Sequence, residues 1–401
     1  MSLAQWSNLF VYAAMAMYTM AFLAFAASFA AARQGRAAVP AAAGAGALPA
    51  EELAPVSTVG AGNTSAGSSP STSAPTVEGV LDSAAQARAA ARLRSPDIEA
   101  ELAAESRGRG RGGRVDSTGG GVEAEELPPG RRSANIGMSL TWLAFLLLLA
   151  GVVTRAIWAG RAPWGNMYEY SLASALAITG VFLAVSLRRD VRWLGLLVTG
   201  ASLITLGIAV IVLYNDSPQL VPALKSYWLV IHVSAAIIAG GAFTVGAAAT
   251  VLYLAADRAE RDAAGRTQPP TSGALLGMRT RLHALNSRLS ATVAARTPDS
   301  ATLDGLAYRV NAFVFPVWTF AVMAGAIWAE DAWGRYWGWD PKETWAFITW
   351  LVYAGYLHAR ATAGWRGRKA AMIGLLGFAC FLINFFGVNL FASGLHSYSG
   401  V

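Results

Sequence analysis

The chain has 401 residues, 55% of them hydrophobic and only 14% charged, with a mean hydropathy of +0.42. Soluble chains carry about a quarter charged residues, so this composition excludes an ordinary soluble protein and points to an integral membrane one. The net charge of +7 is almost all arginine (28 Arg against 3 Lys), and the single cysteine, Cys380, excludes an intrachain disulfide or a Cys-x-x-Cys redox or zinc site on this chain.

Residues 6–31 form an apolar run long enough to span a bilayer, which takes about 20 residues. No basic segment precedes it and it is too long for the apolar core of a signal peptide, so residues 1–32 are expected to be a retained first transmembrane helix. Residues 33–135 are rich in Ala, Gly, Ser, Pro and Arg and hold no aromatic residue. Such a segment buries too little apolar surface to offset its ordering entropy and reads as a disordered linker. Its R-G-R-G-R-G-G-R run (107–114) is read as a solvated basic stretch, with no nucleic acid expected as a partner.

Residues 136–401 carry the other apolar runs, at roughly 137–159, 168–187, 191–214, 227–255, 308–330, 345–363 and 370–392. The fold class expected is therefore all-α, a polytopic membrane bundle of about eight helices. A polar, Arg-rich insertion at 256–307 interrupts the series, with an amphipathic helix expected around 278–294. Between the runs, 26 of the 31 Lys and Arg fall in one alternate set of segments. By the excess of basic residues in cytoplasmic loops, that set is cytoplasmic, and both termini and the segment 331–345 lie outside.

That outer segment reads D-A-W-G-R-Y-W-G-W-D-P-K-E-T-W. Its end, D-P-K-E, is a helix start: Asp340 as N-cap, Pro341 in the first position, Glu343 three residues after the cap. Asn166 and Glu169 make a similar pair opening the third helix. Capping leaves Trp333, Trp337 and Trp339 unexplained, and an aromatic belt accounts for only part of their density. His232, about five residues into the fifth helix, and His396, after the last one, reach the same outer face. His358 lies about 13 residues beyond Trp345, or roughly 20 Å further in, where an ionisable group is a functional candidate by default. His283 sits among arginines in the insertion and is expected to be solvated, and Cys380 to be simply buried. Zinc needs three or four ligands, whereas haem needs one or two axial histidines, apolar and aromatic walls, and cations for its propionates. The outer inventory suits haem: His232 and His396 as ligands, tryptophans as a platform, and Arg335 or Lys342 for the propionates.

The run W-G-R-Y-W-G-W-D-P-K-E-T-W resembles the tryptophan-rich WWD signature of cytochrome c assembly proteins. With G-N-M-Y-E (165–169), S-Y-W-L-V-I-H-V (226–233), W-A-F-I-T-W-L-V-Y-A-G-Y-L-H-A-R (345–360) and N-F-F-G-V-N-L-F-A-S-G-L-H-S-Y (384–398), it resembles the CcsA (ResC) branch of the System II cytochrome c synthesis pathway. The resemblance implies haem b as a transported and presented substrate. It implies His232 and His396 as external iron ligands and His358 as a transmembrane one, with Trp333, Arg335, Trp337, Trp339, Asp340 and Lys342 in the haem-handling loop. The implied partners are a CcsB/ResB-type membrane protein, an apocytochrome c and thiol-reducing thioredoxin-like proteins. The implied activity is that of a subunit of a holocytochrome c synthetase of the haem lyase type, in the cytoplasmic membrane, with no nucleophile assigned to this chain. Two other readings share some of these features: a haem-presenting subunit that loads a haem chaperone in the other maturation pathway, and an electron-transferring membrane cytochrome b.

Overall fold

The computed structural model describes residues 1–37, 130–215, 225–271 and 275–396. All the described regular structure is helical: α1 (Leu3–Ala37), α2 (Arg131–Ala159), α3 (Met167–Ser186), α4 (Gly195–Ile211, after a 3₁₀ turn at Arg192–Leu194), α5 (Tyr227–Ala263), α6 (Leu276–Ala294), α7 (Ser300–Trp333), α8 (Pro341–Ala361) and α9 (Arg368–Leu382). A π turn at Ile383–Gly387 and a last short helix, α10 (Val388–Phe391), continue α9. Most of the expected linker lies outside the described residues. At its edges, α1 runs on to Ala37 and α2 begins at Arg131, so helix enters the segment from both sides.

Seven of these helices are long and apolar enough to cross a bilayer: α1, α2, α3, α4, α5, α7 and α9 with its continuation. The eighth expected span is present as α8 but falls short in apolarity. Its bulk is aromatic (Trp345, Phe347, Trp350, Tyr353, Tyr356), and it opens on Lys342 and Glu343 and ends on His358 and Arg360. The aromatics explain why it is nonetheless held in the bundle. Tyr353 is buried and stacks on Phe243 of α5 with ring centroids 4.1 Å apart. Trp318 of α7 donates its indole N–H to Ala346 O (3.2 Å), and Trp350 donates to Thr319 Oγ1 (2.9 Å). Lipid supplies no hydrophobic drive between helices, so packing and such bonds do the work.

The insertion is more helical than its polarity suggested. Its two ends are continuations of α5 and α7, tied by Glu260 to the N–H and hydroxyl of Ser300 (2.8 and 2.6 Å), and α6 forms where an amphipathic helix was expected. His283 on α6, expected to be solvated, is partly exposed and within electrostatic reach of Asp262. Basic residues gather at this end of the bundle, where Arg360 forms a two-pronged pair with Asp304 (2.8 and 2.9 Å). Cys380 is buried, as expected.

α5 is the most enclosed span, with 72% of its most apolar stretch buried. Its centre is Ala and Gly, which lets neighbouring backbones approach closely. A Cβ on Gly241 would stand 2.7 Å from the carbonyl carbon of Ala177 and 2.8 Å from its oxygen, and main chain cannot step aside as a side chain can. Gly241→Ala is therefore expected to lower stability by about 1–3 kcal/mol as α3 is pushed off α5. A thermal melt of the purified protein in detergent, unchanged by the substitution, would contradict this contact.

Candidate functional site

One cleft opens at the end of the bundle away from the basic cluster. The start of α3, the start of α5, the end of α7, the start of α8 and the residues from the π turn of α9 to His396 surround it. It encloses about 1160 Å³ including its open mouth. Its walls are mainly apolar and aromatic, among them Trp164, Trp318, Trp328, Trp333, Trp337 and Phe385. The first turns of α1 lie at the same end, where Asn8 Nδ2 donates to the hydroxyl of Tyr214 (3.1 Å).

Two imidazoles face this cleft from segments far apart in sequence. His232, in the second turn of α5, donates Nδ1–H to Ala321 O across to α7 at 2.7 Å. Its ring lies nearly parallel to that of Trp328 (6°, centroids 6.1 Å apart). The seat exists because residue 325 is glycine: a Cβ there would come within 2.7 Å of His232 Nδ1. His396 packs edge-on against Trp328 and Trp333, at 5.7 and 5.0 Å, and its Nδ1 meets Asp340 Oδ1 at 2.8 Å. Histidines that ligate a metal characteristically give their other ring nitrogen to a carbonyl or a carboxylate, which fixes tautomer and orientation. His232 has the carbonyl and His396 the carboxylate.

Asp340 does two jobs at once. It caps α8 by accepting from Lys342 N (3.1 Å), and its other oxygen accepts from Leu395 N (2.7 Å), holding the chain beside His396. Burial opposes its ionisation, but the His396 ring and the two backbone N–H groups outweigh that and hold its carboxyl below the usual carboxylate range. A depressed folded value means that the contact contributes fully above the ordinary carboxylate pKa, about 4. It is lost only as pH falls through the lower folded value.

The tryptophan loop is organised by Glu343. The capping box expected from D-P-K-E is complete. Within the box the Glu343 carboxylate accepts from Asp340 N (3.2 Å), and it also accepts from Gly338 N (2.8 Å) and Arg335 Nη1 (3.0 Å). Pinned on both sides, Trp339 adopts φ 58°, in the left-handed region that a bulky residue avoids. The residue is 67% exposed at the rim, and its ring packs against Trp337. Trp333, Trp337 and Lys342 line the cleft, whereas Arg335 and Trp339 stand outside its wall. Arg335 is turned toward Glu343 and the Trp333 ring. Lys342 Nζ reaches the cleft and donates to Asn384 O (3.1 Å).

A second carboxylate does the same for the opposite wall. Asn166 caps α3 by accepting from Glu169 N (2.9 Å). The Glu169 side chain does not return to the cap. It is fully buried and accepts from Gly165 N (2.9 Å), Arg161 Nη1 (2.7 Å) and the buried Arg155 (3.3 Å). The 160–166 turn, with Trp164 and Asn166 facing the cleft, is thus fastened from behind. Glu169 as an anchor, Gly325 as a seat and the π turn that delivers Asn384 and Phe385 were not singled out from sequence. Only the first carried a signal, a glutamate shortly after two arginines in an apolar setting.

His358 is not part of this site. It occupies the last turn of α8, at the far end, with its side chain exposed on the outer surface of the described bundle.

Comparison with known proteins agrees with this architecture. Residues 164–396, which include both sides of the cleft, match the family model described as cytochrome C assembly protein. The chain is 37% identical over 286 residues to a cytochrome c biogenesis protein CcsA of Microcystis aeruginosa, covering 65% of this chain and 87% of that one. It is 35% identical to the CcsA proteins of Guillardia theta (66% and 85% covered) and of Synechocystis sp. (64% and 85%). With more than half of its length under the family model and these relatives nearly spanned, the chain belongs to the cytochrome c assembly protein family, among its CcsA-type members.

Proposed function

We infer that this membrane protein of cytochrome c biogenesis is the haem-presenting subunit of a System II cytochrome c synthetase. The observation that carries the reading is the pair His232 and His396, each with Nδ1 engaged as an iron ligand's would be, on one aromatic cleft at one end of the bundle. The donor set fits haem: two imidazoles, flat aromatic walls, and a cation, Lys342, in the lining. Thioether formation adds each S–H of the apocytochrome's Cys-x-x-Cys-His across a vinyl C=C of the haem, with no atom lost. The chain therefore has only to orient its substrates. Exposed Trp339 and Tyr336 at the rim suit contact with an unfolded apocytochrome segment, whose thiols thioredoxin-like proteins keep reduced.

The paucity of basic residues around the cleft supports an extracytoplasmic mouth in the cytoplasmic membrane. His358, exposed in the last turn of α8, fits an inner ligand whose partner histidine comes from a CcsB/ResB-type membrane protein. A permanent bis-histidine cytochrome b is less well supported, because the two cleft histidines sit at one end, while at the other His358 is exposed on the surface of α8 and His283 lies on α6 of the insertion. The reading is tested by purifying the protein with its partner and recording oxidised and reduced spectra. A low-spin protohaem spectrum that is lost on loading apocytochrome c supports presentation. A spectrum that persists through turnover would favour a resident cytochrome instead.

Asp340→Asn isolates the part that orients His396. Asn caps helices as well as Asp does, so α8 is expected to keep its start. The charge facing His396 is lost, and such supporting contacts are worth about 10–100-fold in metal affinity. Haem titration should show a drop of that order at normal protein yield, and unchanged affinity would remove Asp340 from the site.

A further inference from the structure

Two hydrogen-bond donors in the cleft wall have no partner among the described residues. They are the indole Nε1–H of Trp164 and the amide Nδ2 of Asn166, both shielded from solvent and both on residues that line the cleft. Buried donors are nearly always paired, and leaving one unpaired costs about 1–3 kcal/mol. The Asn166 assignment is not arbitrary. Its Oδ1 accepts from Glu169 N as the cap of α3, so the NH₂ is the end left over. The residue is 5% exposed, and Glu169 fastens the main chain between the two donors through Gly165 N. Their placement is therefore built in. Lys342 adds a cation to the same cleft, with one of its three N–H bonds on Asn384 O. The carboxylate that also lines the cleft, Glu343, is occupied by Arg335 and two backbone N–H groups. Asn384 Oδ1 is unpaired too, but it is an acceptor and has no role toward an anion.

Two rigid neutral donors on one wall and a cation on the facing wall of a mainly apolar and aromatic cleft select an acceptor-only anion, and a carboxylate has that character. We propose that Trp164, Asn166 and Lys342 form a carboxylate subsite that takes the propionate edge of the haem and thereby fixes which edge of the ring faces the cleft mouth. The proposal rests on the haem reading above and assigns the anion to the 164–166 turn with Lys342 in place of Arg335, which stands outside the cleft wall with its Nη1 on Glu343.

The test uses the full chain purified with its membrane partner and compares two ligands by absorption titration: haem, and haem dimethyl ester, which has the same iron and ring but no anionic oxygen. Trp164→Phe removes only the N–H from a ring of similar shape. Asn166→Asp keeps the capping oxygen and replaces the donor by a like charge. The parent should bind haem at least about tenfold more tightly than the ester, the worth of one charge-assisted bond. Each variant should lose about tenfold for haem and nothing for the ester, with the histidine-ligated spectrum retained. Equal losses for both ligands, or no loss for haem, would overturn the subsite while leaving the haem reading intact. If the parent binds neither porphyrin, the haem reading itself falls. Should Asn166→Asp fail to accumulate, Trp164→Phe alone decides the matter.

Discussion

His232→Ala and His396→Ala are each expected to abolish cytochrome c maturation, with haem recovered on the purified protein falling by about 100-fold or more. The estimate starts from the 10–100-fold that loss of a contact supporting a metal ligand costs, and loss of the ligand itself must cost at least as much. The two variants should not be identical. His232 is seated between α5 and α7, with Ala321 O and the Trp328 ring holding it, so its removal leaves a cavity and an orphaned carbonyl. His396 sits in the segment after α10, held by Asp340 and packed on Trp333. Its removal also frees that segment, and the rim should become more accessible to proteolysis. Imidazole added to the medium is expected to restore part of the haem signal in either variant, because a small ligand can occupy the vacated space. Loss of maturation with haem content and spectrum unchanged would mean that these residues serve the apocytochrome and not the iron.

The same two residues show where sequence reasoning reaches its end. The depth of His232 in its helix and the position of His396 after the last span placed both at one face, because helical rise and alternating topology fix depth without further information. Asp340 and Glu343 were legible as caps for a similar reason: a cap is a contact within four residues. What stayed hidden depends on segments far apart in the chain. Asp340 reaches His396 across 56 positions, and His232 reaches Ala321 across 89. Gly325 is one of 41 glycines, and nothing local marks it as the one that faces an imidazole. Arg335 is read from sequence as available to an anion because it stands beside the tryptophans; that the carboxylate eight residues on, itself a cap, also engages its Nη1 is a contact that neighbouring positions alone do not show.

Glu169→Gln is the second substitution expected to have a large effect, and it acts without touching the cleft. Glu169 is fully buried between Arg155, itself only 2% exposed, and Arg161, and it also holds Gly165 N. Arg155 in addition donates to Asn215 O (2.8 Å) and lies over the Tyr168 ring. Breaking a buried pair by removing one partner costs about 3–5 kcal/mol, because an uncompensated charge is left behind. An amide keeps the size and one acceptor but cannot balance a guanidinium. A fall of that order is a large part of a membrane domain's stability, so little folded protein should be recovered in detergent. Replacing Glu169 together with the buried guanidinium, Arg155→Met with Glu169→Met, removes the fully buried stranded charge and leaves only Arg161, which is 15% exposed, so most of the protein yield is expected to return. Haem affinity should not return with it, since Gly165 would have lost its anchor and Trp164 and Asn166 their fixed place in the wall. Equal recovery of yield and haem affinity in the double variant would show that the network serves stability alone. Normal yield in Glu169→Gln would show that the buried charges are not coupled as their distances imply.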